Sequence, residues 1–190
     1  MKKIISILFF MISIFSFATE REAYFAGGCF WCMEPPFEKL SGVISVTSGY
    51  SGGHVENPSY KSVSSGKTGH RETVKIVYDD SVIDYPDLLD VFWRQIDPTD
   101  SEGQFVDRGF EYSSAIFYID ETQKSHALTS IKNLENSGKF EKKIVTEVVK
   151  FKNFYPAEEY HQDYYKKNKI RYKYYRYHSG RDQFLNSIWK

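Results

Sequence analysis

The chain has 190 residues, with 25 Lys and Arg against 25 Asp and Glu, two cysteines and an aromatic content of 17%. This length suits one globular domain with a substantial core, and no internal repeat or low-complexity linker divides it. The balanced charge lacks the basic surplus of nucleic-acid-binding proteins, so we expect no nucleic-acid partner.

The first 18 residues have the pattern of a secretory signal peptide. Lys2 and Lys3 precede an apolar run from Ile4 to Phe17, which ends in a small-residue cleavage pattern at Ala18. Because the run is shorter than the roughly 20 residues that span a bilayer, we expect cleavage after Ala18; an uncleaved membrane anchor is the alternative. Residues 19–190 then form the mature domain, with 23 basic against 25 acidic residues.

The mature part alternates between strand and helix patterns. In chain order, the predicted elements are a strand over 22–28, a helix over 29–40, a strand over 42–53, a loop over 54–69, a strand over 70–80, a helix over 84–96, a strand over 113–120, a helix over 121–138, a strand over 143–151 and a helix over 156–168. Pro35 and Pro36 predict a break in the first helix, and Pro156 predicts the start of the last one. The order strand-helix-strand, occurring twice, indicates an α+β fold. We expect a single-domain α/β sandwich in which helices pack on one mixed sheet, similar to a ferredoxin-like plait.

Both cysteines lie in the stretch GGCFWC, as Cys29 and Cys32. A disulfide across three residues closes too small a loop to stabilise a domain of this size by much. A zinc site needs two further ligands, and the five histidines show no paired spacing beside the cysteines, so we expect no metal. A redox or nucleophilic role remains. Cys29 is the better nucleophile, because Gly27 and Gly28 place it at the first turn of a helix, whose dipole stabilises a thiolate.

A carboxyl group is expected on the apolar face of the third predicted strand. Glu72 alternates in phase with Val74, Ile76 and Tyr78. Buried without a cation, its side chain would have a raised pKa and could act as a general acid. The pattern leaves an equal alternative, in which Glu72 lies in water at the frayed end of the strand or pairs near Arg71.

Seven sequence stretches together resemble the A-type family of peptide methionine (S)-sulfoxide reductases. They are GGCFWCMEPPFEKLSGV, SGYSGG, NPSY, TGHRETVKIVYD, DPT, GQFVDRGFEYSSAIFY and AEEYHQDYY, and the match runs in order from about Tyr24 to the C terminus. The resemblance implies an oxidoreductase that converts methionine (S)-sulfoxide, in oxidised proteins and as the free amino acid, to methionine. Such an enzyme repairs proteins after oxidative damage.

The same resemblance implies roles for individual residues. Cys29 matches the nucleophile of the family, and Glu72 matches its proton donor. The substrate-binding residues that it implies are Phe30 and Trp31, an aromatic wall for the terminal methyl group, Tyr60 and Tyr112, whose hydroxyls bind the sulfoxide oxygen, and Asp107, which orders this polar side.

The resemblance also implies how the enzyme is recycled. Many family members carry resolving cysteines near the C terminus, and this chain has none there, so Cys32 is expected to capture the sulfenic acid left on Cys29 as a disulfide. The break expected at Pro35 and Pro36 would loosen the helix for this bond. We expect no bound cofactor, and we expect an external thioredoxin or other dithiol as the reductant. We also expect a monomer that is exported to a periplasm, where it repairs oxidised proteins.

Two other interpretations stay open. A Cys-x-x-Cys pair also occurs in general dithiol-disulfide oxidoreductases, although Phe30 and Trp31 stand where those hold small residues or proline. The chain could also be a secreted binding domain with an incidental bridge, with the aromatic and basic run over 171–181 as its contact surface. The alternative for that run is a packed or solvated tail.

Overall fold

The structure, a computed structural model, describes residues 19–189; the predicted signal peptide at 1–18 and Lys190 lie outside the described residues. The strands are β1 (Glu20–Ala26), β2 (Val43–Ser51), β3 (Arg71–Asp79), β4 (Gly103–Gln104), β5 (Asp107–Arg108), β6 (Ala115–Tyr118), β7 (Glu147–Lys150) and β8 (Phe154–Pro156). The helices are α1 (Phe30–Glu38), α2 (Tyr60–Val63), α3 (Tyr85–Trp93), α4 (Glu121–Asn136), α5 (Tyr164–Lys167), α6 (Lys169–His178) and α7 (Arg181–Ile188), with a 3-10 turn over Phe110–Tyr112. In the described part of the chain, no helix has the length and apolar character that a membrane crossing requires.

Six strands form one sheet in the order β7-β6-β1-β3-β2-β8. The central strands β6, β1, β3 and β2 are antiparallel at every pair, and β7 lies parallel to β6. This order, with helices after β1 and after β3, is that of a ferredoxin-like plait. The prediction of an α+β fold with a mixed sheet is therefore confirmed.

The main core lies between the sheet and the helices α1 and α3. Phe25 of β1 and Ile76 of β3 are fully buried there. The ring centroid of Phe25 lies 5.7 Å from that of Phe37 in α1 and 5.0 Å from that of Phe92 in α3. Because alternate residues of β3 face this core, Glu72 points to the same side of the sheet, toward the start of α1.

The pair Pro35 and Pro36 does not break α1, contrary to the prediction. The helix runs over Phe30–Glu38 with both prolines inside it. Pro36 has no N–H, so the carbonyl oxygen of Cys32, four residues earlier, receives no helical hydrogen bond. Nη1 of Arg176 in α6 donates to that oxygen instead, at 3.2 Å. A tertiary contact thus replaces the missing helical bond.

The prediction of a helix starting at Pro156 is wrong as well. Pro156 ends β8, which pairs with β2, and the next helix covers only Tyr164–Lys167. The segment between them is bound to β2. The N–H of Ala157 donates to the oxygen of Ser48 at 2.9 Å, and the side chain of Gln162 bonds both the N–H and the oxygen of Ser48. These bonds satisfy backbone groups that a helix would have paired internally.

The segment over 54–69, predicted as a loop, contains the single-turn helix α2. The hydroxyl of Ser59 caps this turn by accepting the N–H of Ser62 at 3.3 Å. The cap places Tyr60 at the first helical position, close to the segment that follows β8.

Candidate active site

The turn between β1 and α1 places Cys29 at the N-cap of α1. Gly28 has a φ of +82°, and a Cβ added there would lie 2.6 Å from the Cβ of Gln104, so the close approach requires glycine. Cys29 is 7% exposed, Cys32 is fully buried, and both are free thiols. Of the two residues, only Cys29 has any exposed surface.

Glu72 lies beside this turn. Its strand pattern allowed either a buried position or a position in water at the end of the strand, and the structure has the buried one. Its side chain is 3% exposed, and its Oε2 accepts the N–H of Phe30, the residue after Cys29, at 3.0 Å. Burial raises the pKa of Glu72 well above its ordinary value, and the hydrogen bond from Phe30 offsets this only in part. Burial therefore favours the protonated form of Glu72 beside Cys29.

The two thiols differ in acidity, and the difference is opposite to the expectation for a cysteine at a helix N terminus. Burial, the hydrogen bond that Cys29 makes to the Cys32 sulfur and the nearby Glu72 raise the pKa of Cys29 well above its ordinary value. The same hydrogen bond, together with the charges of Arg181 and Arg176, lowers the pKa of Cys32 to about 7. Because Cys29 lies among carboxyl groups and away from water, desolvation outweighs the helix dipole, and the resting nucleophile is a protonated thiol.

Tyr60 and Tyr112 approach Glu72 from two other segments. Tyr60 begins α2, where Oε1 of Glu158 accepts its backbone N–H at 2.8 Å, and Tyr112 ends the 3-10 turn. Burial raises the pKa of both hydroxyls, and Glu72 adds to this effect once it is ionised. Both therefore stay protonated and can donate hydrogen bonds to an oxygen beside Glu72.

Asp107 lies in β5, where its Oδ2 accepts a hydrogen bond from the hydroxyl of Tyr175 in α6. Burial raises the pKa of Asp107, and Tyr175 and Arg181 offset this in part. Burial also raises the pKa of Tyr175, and the neighbouring Cys29 and Cys32 add to this effect. Tyr175 therefore connects the acid predicted from the sequence to the two thiols.

Phe30 and Trp31 meet at His161 and do not line one exposed wall. Phe30 is 1% exposed, and its ring centroid lies 4.9 Å from that of His161. Trp31 is half-buried, stacks on Tyr164 at 3.7 Å and donates its Nε1–H to Nδ1 of His161 at 3.1 Å. Trp31 therefore keeps a partly exposed surface, while Phe30 supports the site from the core.

The structure adds residues that the sequence motifs did not single out, namely His161, Tyr175, Arg176 and Arg181. The first belongs to the matched stretch AEEYHQDYY, which could have indicated it. The others lie in the run over 171–181, where tyrosine and arginine are so frequent that spacing does not separate the exposed Tyr174 and Tyr177 from Tyr175. Part of this run is packed against the thiols, so it is not wholly a contact surface.

Within residues 19–189, one group of acidic side chains is compact enough to suggest a cation site: Glu34, Glu38 and Asp163. The Nζ of Lys166 already lies 2.7 Å from Glu38 and 2.6 Å from Asp163. A lysine therefore supplies the positive charge at this cluster, which includes neither thiol.

A protonated carboxyl group held against a cysteine suits the transfer of oxygen from a substrate to sulfur, which is the chemistry of the thiol-dependent reductases. Comparison with known proteins agrees with this class. Residues 21–190 match the family model described as peptide methionine sulfoxide reductase, and the chain belongs to that family.

Three proteins illustrate the similarity. The peptide methionine sulfoxide reductase MsrA of Ligilactobacillus salivarius is 56% identical over 90% of this chain and 99% of its own length. The MsrA/MsrB protein of Vibrio cholerae is 54% identical, and the chain spans about half (46%) of that protein's length. Mxr1 from Saccharomyces cerevisiae in reduced form has a TM-score of 0.72 and 33% identity, covering 79% of this chain and 86% of its own. The same yeast protein in complex with Trx2 has a TM-score of 0.53 and 24% identity, covering 80% and 92%.

Proposed function

We propose that this protein reduces methionine (S)-sulfoxide, in oxidised proteins and as the free amino acid, to methionine. The observation that carries the proposal is the hydrogen bond between Glu72 and the N–H of Phe30, because it places a proton-bearing carboxyl group against the turn that holds Cys29. Membership of the peptide methionine sulfoxide reductase family supports the same reaction. The alternative of a general dithiol-disulfide oxidoreductase gives no role to this buried acid.

The chemistry requires an acid and a nucleophile at one sulfoxide group. A sulfoxide sulfur is a poor electrophile until its oxygen is protonated or strongly hydrogen-bonded. Glu72 gives its proton to that oxygen, with Tyr60 and Tyr112 as further donors, and regains the proton that Cys29 loses. Cys29 attacks the sulfur, the oxygen is transferred to the Cys29 sulfur, and methionine leaves behind a sulfenic acid on Cys29.

Cys32 is the only other cysteine of the chain. Its sulfur attacks the sulfenic sulfur of Cys29, forms the Cys29–Cys32 disulfide and releases water. Return to the dithiol requires two electrons from outside the chain, which a thioredoxin-like protein supplies without any bound cofactor. Yeast Mxr1 has been solved in complex with Trx2, and this supports a protein reductant for the present chain.

Export belongs to the proposal too, and its support is the pattern of residues 1–18. Intact mass spectrometry of protein from a periplasmic extract should find a chain that begins at Thr19. Full-length protein confined to the cytoplasm would contradict export, and full-length protein in the membrane fraction would identify an uncleaved anchor.

Two cysteine variants test the reaction in a single turnover. Reduced protein is mixed with excess methionine (S)-sulfoxide peptide without reductant, and methionine and remaining thiols are counted. Wild type should release about one methionine per chain with loss of both thiols, and Cys29→Ser should release none. Cys32→Ser should keep this first release but should not turn over efficiently with thioredoxin. Undiminished thioredoxin-driven turnover of Cys32→Ser would exclude its resolving role, and disulfide exchange without sulfoxide reduction in wild type would favour the general oxidoreductase.

A further inference from the structure

The two C-terminal helices, α6 and α7, pack against the first turn of α1, which contains Cys32. Nη1 of Arg176 in α6 donates to the Cys32 carbonyl oxygen at 3.2 Å, in the place of the N–H that Pro36 lacks. Asp182 in α7 accepts the Nε–H of Arg176 at 2.8 Å and holds the guanidinium in this position. A positive charge is therefore fixed against the backbone of Cys32.

Arg181 brings a second positive charge to the same turn. It is 1% exposed, and its guanidinium donates to the carbonyl oxygen of Gly27 at 3.2 Å and lies 3.9 Å from the sulfur of Met33. In the described part of the chain, its guanidinium hydrogen-bonds carbonyl oxygens and this thioether, and no carboxylate. Its charge is thus not neutralised by an ion pair, and it acts on the segment between Gly27 and Met33, which contains both thiols.

The exposure of the two cysteine residues favours one order of reaction with a reductant. Cys29 is 7% exposed and Cys32 is not exposed at all. A dithiol that reduces the Cys29–Cys32 disulfide therefore reaches the Cys29 sulfur, and Cys32 is the leaving thiolate. In the preceding step Cys32 is the attacking thiolate. A thiol that ionises near the ambient pH suits both roles. It is present as the thiolate that attacks, and it leaves faster than a less acidic thiol does.

We propose that Arg176 and Arg181 are positioning residues of the redox cycle, which stabilise Cys32 as a thiolate both when it closes the disulfide and when it leaves it. In the first step the Cys32 thiolate attacks the sulfenic sulfur of Cys29, the S–S bond forms, and the hydroxyl group takes up a proton and leaves as water. In the second, a thiolate of an external dithiol attacks Cys29 and the S–S bond breaks toward Cys32. The second thiol of the reductant then displaces Cys29, so the reductant becomes a disulfide. The inference rests on the resolving role proposed for Cys32.

The titration of Cys32 also depends on other groups around it. They are Cys29 at the start of α1, Glu72 of β3, Asp107 of β5, Tyr172, Tyr175 and Arg176 of α6, and Arg181 of α7. The hydrogen bond from Cys29 contributes most to the low pKa of Cys32, and the charges of Arg181 and Arg176 add to it, while burial and, to a smaller extent, Asp107 oppose them. Removing Arg176 therefore leaves the Cys29 contact in place, and it takes away the nearby charge together with the hydrogen bond to the Cys32 carbonyl oxygen.

The test compares Arg176→Met with Arg176→Lys and with Arg171→Gln, a control at an exposed arginine of the same helix. In single turnovers without reductant, methionine release reports the Cys29 and Glu72 step, and loss of the second thiol reports disulfide formation. At pH 7, Arg176→Met should slow disulfide formation roughly three- to tenfold more than it slows methionine release. Arg176→Lys should recover most of this loss, because it restores the charge, and Arg171→Gln should match wild type.

A pH profile separates this role from a structural one. The deficit of Arg176→Met should shrink toward pH 9 to 10, where Cys32 ionises in both proteins. In a Cys29→Ser background, the thiolate absorbance of Cys32 at 240 nm should titrate at a higher pH after Arg176→Met. Equal rates and equal titrations in Arg176→Met and wild type would overturn the inference. Failure of wild type to release methionine would instead refute the proposed function, so the two failures are distinguishable.

Discussion

At the scale of single residues, the site depends on a carboxyl group that keeps its proton. Glu72 is buried, its Oε2 is bound by the Phe30 N–H, and its pKa is raised well above its ordinary value. An acid with a raised pKa keeps its proton to a higher pH than an exposed acid of the same type does. Glu72 is thus ready to protonate an oxygen at a pH where an exposed glutamate is ionised.

We expect Glu72→Gln to lower the rate of methionine formation roughly 100-fold or more, as is usual when a positioned general acid is lost. The wild-type rate should fall on the alkaline side as Glu72 ionises, and the small residual rate of the variant should lack this fall. Quenched-flow experiments from pH 6 to 10 measure the rates of the wild type and of the variant. Tyr60→Phe and Tyr112→Phe should cost less, since each removes one hydrogen bond and no proton.

The matched control is Glu20→Gln, an exposed glutamate at the start of β1. It should leave the rate unchanged. A Glu72→Gln protein that reacts as fast as wild type at neutral pH would show that the buried carboxyl group is not the acid of the reaction.

At the scale of secondary structure, α1 is bound to the segment before α5 through a second buried acid. Glu34, 1% exposed, accepts the N–H of Asp163 through Oε1 at 3.1 Å, and its Oε2 has no hydrogen-bond partner. Burial raises the pKa of Glu34 from its ordinary 4.5 to about 7. The folded protein therefore binds this proton more tightly than the unfolded chain does.

The sign of the resulting pH dependence follows from linkage. The stabilisation from protonated Glu34 is complete below pH 4.5 and is lost as the pH rises through about 7. Glu34→Gln keeps the neutral side chain at every pH, so its stability relative to wild type should increase between pH 5 and 8.5, by about 2–3 kcal/mol. Urea unfolding at both pH values measures the change. Glu135→Gln on α4, which is exposed, is the control, and curves for Glu34→Gln that run parallel to wild type would contradict the shift.

At the scale of the whole molecule, the site exists because the plait brings distant segments together. The turn after β1, the short helix α2, the start of β3 and the 3-10 turn supply Cys29, Tyr60, Glu72 and Tyr112. The segment after β8 and the helix α6 complete the site with His161 and Tyr175. We infer that the donors and the aromatic surface occupy different sides of the position that a substrate sulfur would take.

This arrangement should accept one epimer of the sulfoxide. The R epimer would place its methyl group among the polar donors and leave buried hydroxyls and a carboxyl group unpaired, at a cost of roughly 1–3 kcal/mol per group. Exhaustive treatment of a racemic methionine sulfoxide peptide should stop near half conversion, with the R epimer remaining by chiral separation. Comparable consumption of both epimers would exclude the arrangement.

The variant Trp31→Ala tests the aromatic side of the same arrangement. It should weaken capture of the S substrate while Cys29 stays reactive toward small alkylating agents. A parallel loss of both reactivities would indicate damage to the turn rather than loss of the methyl contact.

Local sequence patterns were enough to predict much of the fold and part of the site. The alternation in β3 placed Glu72 on the core face, the glycines before Cys29 predicted the turn and the helix start, and the order of strands and helices indicated the plait. These features depend on neighbours a few residues apart, so the linear sequence contains them.

Long-range contacts decided the rest. Whether Glu72 is buried, why α1 continues through Pro36, and why Pro156 ends a strand instead of starting a helix all depend on partners elsewhere in the chain. The bond from Arg176 to Cys32 joins residues 144 positions apart, and the bond from Gln162 to Ser48 joins residues 114 apart. The acidity of the thiols also depends on long-range contacts, because desolvation and neighbouring charge are properties of the packed site and have no periodicity in the sequence.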